Sequence, residues 1–209
     1  MSIKLYYFDG RGLAEPTRWI LAYAGVEFED IRAPLDLPVT IPPEIKAKCT
    51  WGQVPLVELE DGKKIAQSLA ITRYFAKKHN LVPEDLYEAA VCDEYVDSIR
   101  EFMQAWYVIT HEKDPEKKQE KRQEVLKSTK QRFFDVFESI VAKSSDGKHL
   151  VGNSLTWADI YLTHGLNHVG LVHEIDLLND YPALKKLSEN VLQEKGIQAW
   201  VQKRPLTKF

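Results

Sequence analysis

The 209-residue chain is short of the features that staple or anchor a protein. It has two cysteines, Cys49 and Cys92, and they form no C-x-x-C pair. That excludes a disulfide framework, a cysteine-built zinc site and a thioredoxin-type redox pair. No apolar run approaches the roughly 20 residues needed to span a bilayer. The first residues, Met1-Ser2-Ile3-Lys4-Leu5-Tyr6, lack the apolar core and small-residue cleavage site of a signal peptide. Neither charge is in large excess: 28 Lys and Arg stand against 31 Asp and Glu, a net charge of -3. A nucleic-acid binder normally carries a basic surplus on one face, so no nucleic acid is expected as a partner. What is present is globular composition, with 44% hydrophobic and 11% aromatic residues. The expectation is a soluble protein of a reducing compartment, the cytoplasm, with one or two cored domains and no membrane span.

The pattern along the chain changes near residue 80. Residues 1–77 hold equal numbers of acidic and basic side chains, so the net charge belongs to the remainder. Ile3–Phe8 reads as a strand and Gly10-Arg11-Gly12 as a turn. Leu13–Ala24 has helical spacing and stops before Gly25. Val26–Arg32 returns to strand character. Pro34, Pro38, Pro42 and Pro43 then predict a loop with at most a short helix from Pro43. Val54–Leu59 and Lys64–Ala66 flank an Asp61-Gly62 hairpin turn, and Ser68–His79 reads as a helix. This β-α-β, loop, β-β-α order is thioredoxin-like without the redox cysteines.

Beyond Glu84 the strand signals disappear. Asp85–His111 and Glu116–Ala142 read as long helices, the second densely charged at its start, as a solvated face would be. Thr156 and Asp159 form a capping box for a helix to about Val169. Two short helices are expected after Tyr181-Pro182 and near Ile197–Lys203. The predicted architecture is an α/β thioredoxin-like N-terminal domain over residues 1–79, a linker at 80–84, and an all-α C-terminal domain over 85–209.

Three short motifs carry the chemistry: Leu5-Tyr6-Tyr7-Phe8-Asp9-Gly10-Arg11-Gly12-Leu13-Ala14-Glu15-Pro16, Trp51-Gly52-Gln53-Val54-Pro55-Leu56 and Gln67-Ser68-Leu69-Ala70-Ile71. In this order, with Ser154-Leu155-Thr156-Trp157-Ala158-Asp159 and Lys203-Arg204-Pro205 further on, they resemble the glutathione transferases over nearly the whole chain. The pattern looks most like the sigma class, which includes the glutathione-dependent prostaglandin D synthases.

The resemblance implies Tyr7 as the catalytic residue. A free thiol has a pKa of about 8.5 and is mostly protonated at neutral pH. A phenol donating a hydrogen bond to the sulfur favours the thiolate. Strand alternation places Tyr6 on the opposite face, as a structural residue. In the family, Pro55 is cis and exposes the backbone of Val54 to the cysteinyl part of glutathione, like an added strand; on sequence alone it is a strand-start proline. Gln53 adds a side-chain contact. Gln67 and Ser68 open a helix whose N-terminus suits the γ-glutamyl carboxylate, though Ser68 also reads as an ordinary N-cap. Lys46 is expected at the glycyl carboxylate, and Glu101, from the partner subunit, at the glutamyl amine.

The electrophile pocket is expected from Phe8, Leu13, Met103, Trp106, Tyr107 and Phe209, with Met103 and Tyr107 one helical turn apart. Trp51 reads equally as an interface anchor or as core. His164 and His168 share a helix face, but no H-E-x-x-H pattern accompanies them, and no metal site is expected. The resemblance thus implies a homodimeric enzyme that uses glutathione as co-substrate on small hydrophobic electrophiles, with peroxidase activity toward lipid hydroperoxides. The alternatives are glutathione-dependent isomerisation of prostaglandin H2 and a non-catalytic, crystallin-like protein. A redox role for Cys49 is disfavoured, because its loop is remote from any thiol-activating helix N-terminus.

Overall fold

A computed structural model describes residues 2–35 and 39–207. Phe209, and Pro38 of the proline-rich stretch, lie outside the described residues. The chain forms two compact units: Met1–Asn80 together with Glu194–Phe209, and Leu81–Gln193.

The first unit is built on four strands: β1 (Ile3–Phe8), β2 (Phe28–Ala33), β3 (Leu56–Glu58) and β4 (Lys64–Ala66), in the order β2-β1-β3-β4. β1 runs parallel to β2, from Ile3 opposite Phe28 to Phe8 opposite Ala33. β3 is antiparallel to both β1 and β4, with Leu56 opposite Tyr6 on one side and Ala66 on the other. The expected strand from Val54 begins two residues later, because Pro55 supplies no N–H to the ladder. Between β1 and β2 lie a short 3-10 turn (Gly12–Ala14) and helix α1 (Glu15–Tyr23). A one-turn helix, α2 (Pro43–Lys46), interrupts the proline-rich stretch, and α3 (Ser68–Lys78) follows β4.

The expected all-helical domain extended to the C-terminus. In the structure its last helix, α9 (Lys195–Lys203), instead packs on α1 in the first unit. Gly196 permits the approach: a Cβ there would lie 2.1 Å from the Ala22 carbonyl oxygen, a backbone atom with no freedom to move aside.

The same contact buries a carboxylate. Glu15, 0% exposed, accepts bonds from the indoles of Trp19 and Trp200, both at 2.9 Å, and from Arg204 at 2.6 Å and Arg18 at 3.1 Å. Arg18 also donates to the Gly10 carbonyl at 2.7 Å and to Asp30 at 3.0 Å. A charge in the interior is tolerated only when paired and hydrogen-bonded.

The second unit holds α4 (Leu86–Thr110), α5 (Pro115–Thr129), α6 (Asp135–Lys143), α7 (Trp157–His173) and α8 (Pro182–Gln193). Asp85 caps α4 and Asp114 caps α5. The long helix expected over 116–142 is divided by a π turn at Lys130–Phe134. The wider turn shifts the helical phase, so that Phe133, Phe134 and Phe137 all point inward. The capping box stands as expected. Asp159, fully buried, accepts from the Leu150 and Thr156 amides and the Thr156 hydroxyl, each at 2.8 Å. Among the described residues no helix is long and apolar enough to cross a membrane.

Replacing Glu15 by alanine strands the guanidinium groups of Arg18 and Arg204 around a void. The expected cost is about 3–5 kcal/mol, read from urea unfolding. His173 sets a pH dependence of stability. It is held between the Trp106 ring, 4.7 Å away between centroids, and the Thr110 hydroxyl at 3.2 Å. Burial, aided by Arg122 and Lys118, pushes its pKa down from 6.5 to about 4. The unfolded chain therefore takes up the proton first. Stability present above pH 6.5 is lost as pH falls toward about 4. In His173→Gln, the urea midpoint is expected to vary less across that range than in the parent protein; an equal slope in both would remove His173 as the cause.

Candidate active site at one end of the sheet

Strand register brings the three motifs together. Tyr7 lies near the end of β1, one residue beyond the Tyr6–Leu56 pair, Val54-Pro55 leads into Leu56, and Gln67-Ser68 follows Ala66, the partner of Leu56 on the other side. All three therefore converge at the same end of the sheet.

The Tyr7 hydroxyl is set by the turn that follows its own strand. The Leu13 amide donates to it at 3.1 Å. Gly12, at φ 37°, makes the turn possible, and a Cβ there would sit 2.6 Å from the Tyr7 hydroxyl oxygen. The Arg18 guanidinium lies 5.8 Å from the centre of the Tyr7 ring, so a paired cation stands over the phenol.

Tyr6 behaves as alternation predicts. It is 3% exposed within a core of Ala33, Ile45, Cys49 and Leu56, and its hydroxyl is engaged by Lys48 at 3.0 Å and Glu58 at 3.3 Å. Phe8, expected to face the electrophile, shares the Tyr6 face and packs against that same core. Its ring also meets the Tyr7 ring edge-on, 5.6 Å between centroids.

At the neighbouring strands, Val54 is half-buried beside the cis Pro55, and Gln53 is exposed. Gln67 adopts φ 73° and ψ 117°, a left-handed backbone that a residue with a Cβ rarely takes. Ser68 begins α3 and is 4% exposed. The Ser68 carbonyl accepts from the Thr72 hydroxyl at 2.8 Å, which in turn bonds Thr17 of α1 at 2.9 Å. The first turn of α3 is thus fixed to α1. Lys46 is exposed at the end of α2, its side chain running beside Gly52.

Other expected residues lie in the helical unit. Trp106 is 1% exposed, packed against Phe102 and His173. It is a core residue and lines no open surface, a correction to its expected place in the electrophile pocket. The physical reason is helical phase: Ile99, Phe102, Trp106 and Ile109 form the inward stripe of α4. Met103, half-buried, packs beside Gly165 of α7. Tyr107 is 58% exposed, its ring against His111. Leu13, in the first unit, is 37% exposed. Glu101 is exposed and pairs with Arg132 at 3.1 Å.

Trp51 is 66% exposed, which removes the core reading and leaves the interface reading. Neither cysteine is activated. Burial pushes both thiols up, Cys92 to about 12, and the Cys49 sulfur donates to the Ile45 carbonyl. Among the described residues no cluster of His, Cys, Asp or Glu is arranged to hold a metal ion. Two features that matter here escaped the sequence reading: Arg18 over the Tyr7 ring and the backbone conformation of Gln67, a residue expected at the site for its side chain alone. Gly12 had a visible signal as a turn glycine, whereas the strained Gln67 had none.

The sequence matches the N-terminal domain of glutathione S-transferases over residues 3–77 and their C-terminal domain over 100–204. It is 32% identical to a glutathione S-transferase of Anopheles gambiae, over 98% of this chain and 97% of that one. It is 39% identical to glutathione S-transferase alpha-4 of Rattus norvegicus, over 95% and 87%. Among solved structures, prostaglandin synthase D of Nilaparvata lugens superposes with a TM-score of 0.87 at 32% identity, over 99% of this chain and all of that one. The chain belongs to the glutathione S-transferase family and has its fold. Similarity extends to relatives of several classes, so the family is fixed more firmly than the class within it.

Gly12→Ala forces the new methyl group against the Tyr7 hydroxyl. Conjugation activity is expected to fall by about tenfold or more while the fold persists, as checked by circular dichroism. Full activity in this variant would mean that the hydroxyl position does not matter.

Proposed function

We propose that this protein is a sigma-type glutathione transferase, cytoplasmic and homodimeric, in which Tyr7 turns bound glutathione into a thiolate that attacks hydrophobic electrophiles. The observation that carries the reading is the convergence of Tyr7, cis Val54-Pro55 and Gln67-Ser68 at one sheet end. From β1 across β3 to β4 is two strand spacings, about 10 Å. That is close to the length of three extended residues, about 10 Å. A tripeptide laid across this end presents its γ-glutamyl carboxylate to Gln67, Ser68 and the α3 N-terminus. Its cysteinyl backbone meets Val54 as an added strand, with Gln53 alongside, and its glycyl end lies toward Lys46. The backbone strain at Gln67 supports this reading, since such outliers gather at ligand clamps.

The Tyr7 hydroxyl keeps its proton and donates a hydrogen bond to the sulfur, so that the bound thiol releases its own proton to solvent and rests as a thiolate. The sulfur then bonds the electrophilic carbon, and the leaving group departs with its electron pair. With an organic hydroperoxide the thiolate attacks the O–O bond and the alcohol leaves; a second glutathione then displaces water from the sulfenic acid so formed, giving the disulfide. Inertness of both cysteines fits a reaction whose thiol arrives with the substrate. Leu13, Met103, Tyr107 and Phe209 are the residues assigned to the electrophile, Phe8 being turned to the Tyr6 core. The exposed Trp51 and Glu101 are assigned to the partner subunit, Glu101 at its glutathione.

Isomerisation of prostaglandin H2 is the second reading, favoured by similarity to the prostaglandin synthase D of Nilaparvata lugens. A non-catalytic role is disfavoured by retention of all three motifs.

Tyr7→Phe is expected to raise the pKa of the bound thiol and to cut turnover with a chlorodinitrobenzene substrate by about one to three decades. Tyr6→Phe should leave both nearly unchanged. The reverse result would move the catalytic role to the other tyrosine. Protein that binds glutathione but conjugates nothing and reduces no hydroperoxide would support the non-catalytic role.

A further inference from the structure

We propose that the C-terminal segment Arg204–Thr207 is a clasp that fixes the Tyr7 hydroxyl, with Arg11 and Arg204 as positioning residues. The proposal rests on the reading of Tyr7 as the thiol-activating group. The segment leaves α9 at Arg204 and is held at both ends. Arg204 donates to the buried Glu15 at 2.6 Å, and the Thr207 carbonyl accepts from Arg11 at 2.7 Å. These bonds join residues 189 and 196 positions apart in sequence. Between them Leu206 is fully exposed, so its side chain gives the segment no apolar anchor. Polar contacts hold its two ends.

Arg11 is the residue through which the clasp reaches the site. Its Nε is buried without a partner, while its Nη2 is engaged by the tail carbonyl. Its guanidinium is therefore oriented by Thr207. Burial and the nearby like charge of Arg204 both lower the Arg11 pKa, so the two cations are held together against repulsion, with Glu15 opposing. The backbone of Arg11 opens the turn that continues through Gly12 to Leu13, and the Leu13 amide holds the Tyr7 oxygen. The path runs from the Thr207 carbonyl through the Arg11 side chain and the Gly12 turn to Tyr7. A loosened Arg11 lets the Leu13 amide drift. A phenol oxygen that loses its donor is a weaker hydrogen-bond donor in turn. The bound thiol then holds its proton more tightly.

The charged groups around Tyr7 are Arg18 over its ring, Arg11, Glu15 and Arg204 in the clasp, and the Asp30, Arg32 and Asp9 chain beyond Arg18. Ending the chain at Pro205 removes the Thr207 acceptor of Arg11 but keeps Arg204 and its bond to Glu15, which allows the clasp to be tested without disturbing the rest.

The test titrates the thiolate ultraviolet absorbance of glutathione bound to the protein. It compares the full chain, a chain ending at Pro205, a chain ending at Thr207, Arg11→Met, and Arg11→Met combined with the Pro205 ending. The Pro205 ending and Arg11→Met are each expected to raise the bound thiol's pKa by about half to one unit, a threefold to tenfold loss of thiolate. The combined variant should shift no further than either alone, because both cut the same path. The chain ending at Thr207 keeps the acceptor and should titrate like the full chain, although its terminal carboxylate has also moved. An unshifted Pro205 ending, fully additive shifts, or an equal shift in the Thr207 ending would each overturn the clasp. Arg11→Lys, which keeps the charge but not the planar fork, should shift in the same direction; it replaces Arg11→Met if that variant does not fold. Tyr7→Phe is titrated beside them. If it leaves the thiol pKa unchanged, the reading of Tyr7 fails; if it shifts while the Pro205 ending does not, only the clasp fails.

Discussion

A carboxylate without solvent must be surrounded by donors, and Glu15 imposes that requirement on the whole first unit. Its partners come from α1 itself, through Arg18 and Trp19, and from the far end of the chain, through Trp200 and Arg204. Removing any one leaves charge or polarity buried without compensation, which costs more than the contact returned. The network thereby fixes α9 against α1, and through Arg18 it also fixes the Gly10 carbonyl and Asp30. The turn that presents Tyr7 is held from below by Arg18 and from the side by Arg11. A site whose proposed chemistry turns on one hydroxyl position needs such a foundation, because small displacements of a reacting group are costly.

The second constraint is register. Antiparallel pairing of β3 with both β1 and β4 leaves no freedom in where Val54-Pro55 and Gln67-Ser68 fall relative to Tyr7. Sliding β1 by one residue would turn Tyr7 into the core and Tyr6 to the opposite face. The core around Tyr6, with Lys48 and Glu58 on its hydroxyl, opposes that slip. Two adjacent tyrosines thus take unrelated roles because the pleat sends them to opposite faces.

Much of this could be read from residue order. Ile3–Phe8, Lys64–Ala66, the Asp85 start of α4 and the Thr156–Asp159 box fall where periodicity and capping chemistry put them. These are local features, set by side-chain alternation and by the unpaired amides of a helix end. The π turn at Lys130–Phe134 was not legible, since it answers to the packing of three phenylalanines rather than to any local signal. Trp106 was misplaced for a related reason. An aromatic on a helix beside Met103 and Tyr107 looks like a pocket wall until the inward stripe is known.

The sequence by itself determined the element order, the change of character near residue 80, and the three motifs that define the family. Those follow from propensity, periodicity and residue chemistry, which act over a few positions. Tertiary structure alone decided that α9 returns to α1, that Glu15 is a buried charge, and that Gln67 is strained. It also decided that Thr207 meets Arg11. Each of these joins or strains groups according to how distant segments pack, and no spacing within the chain encodes a contact across nearly two hundred residues.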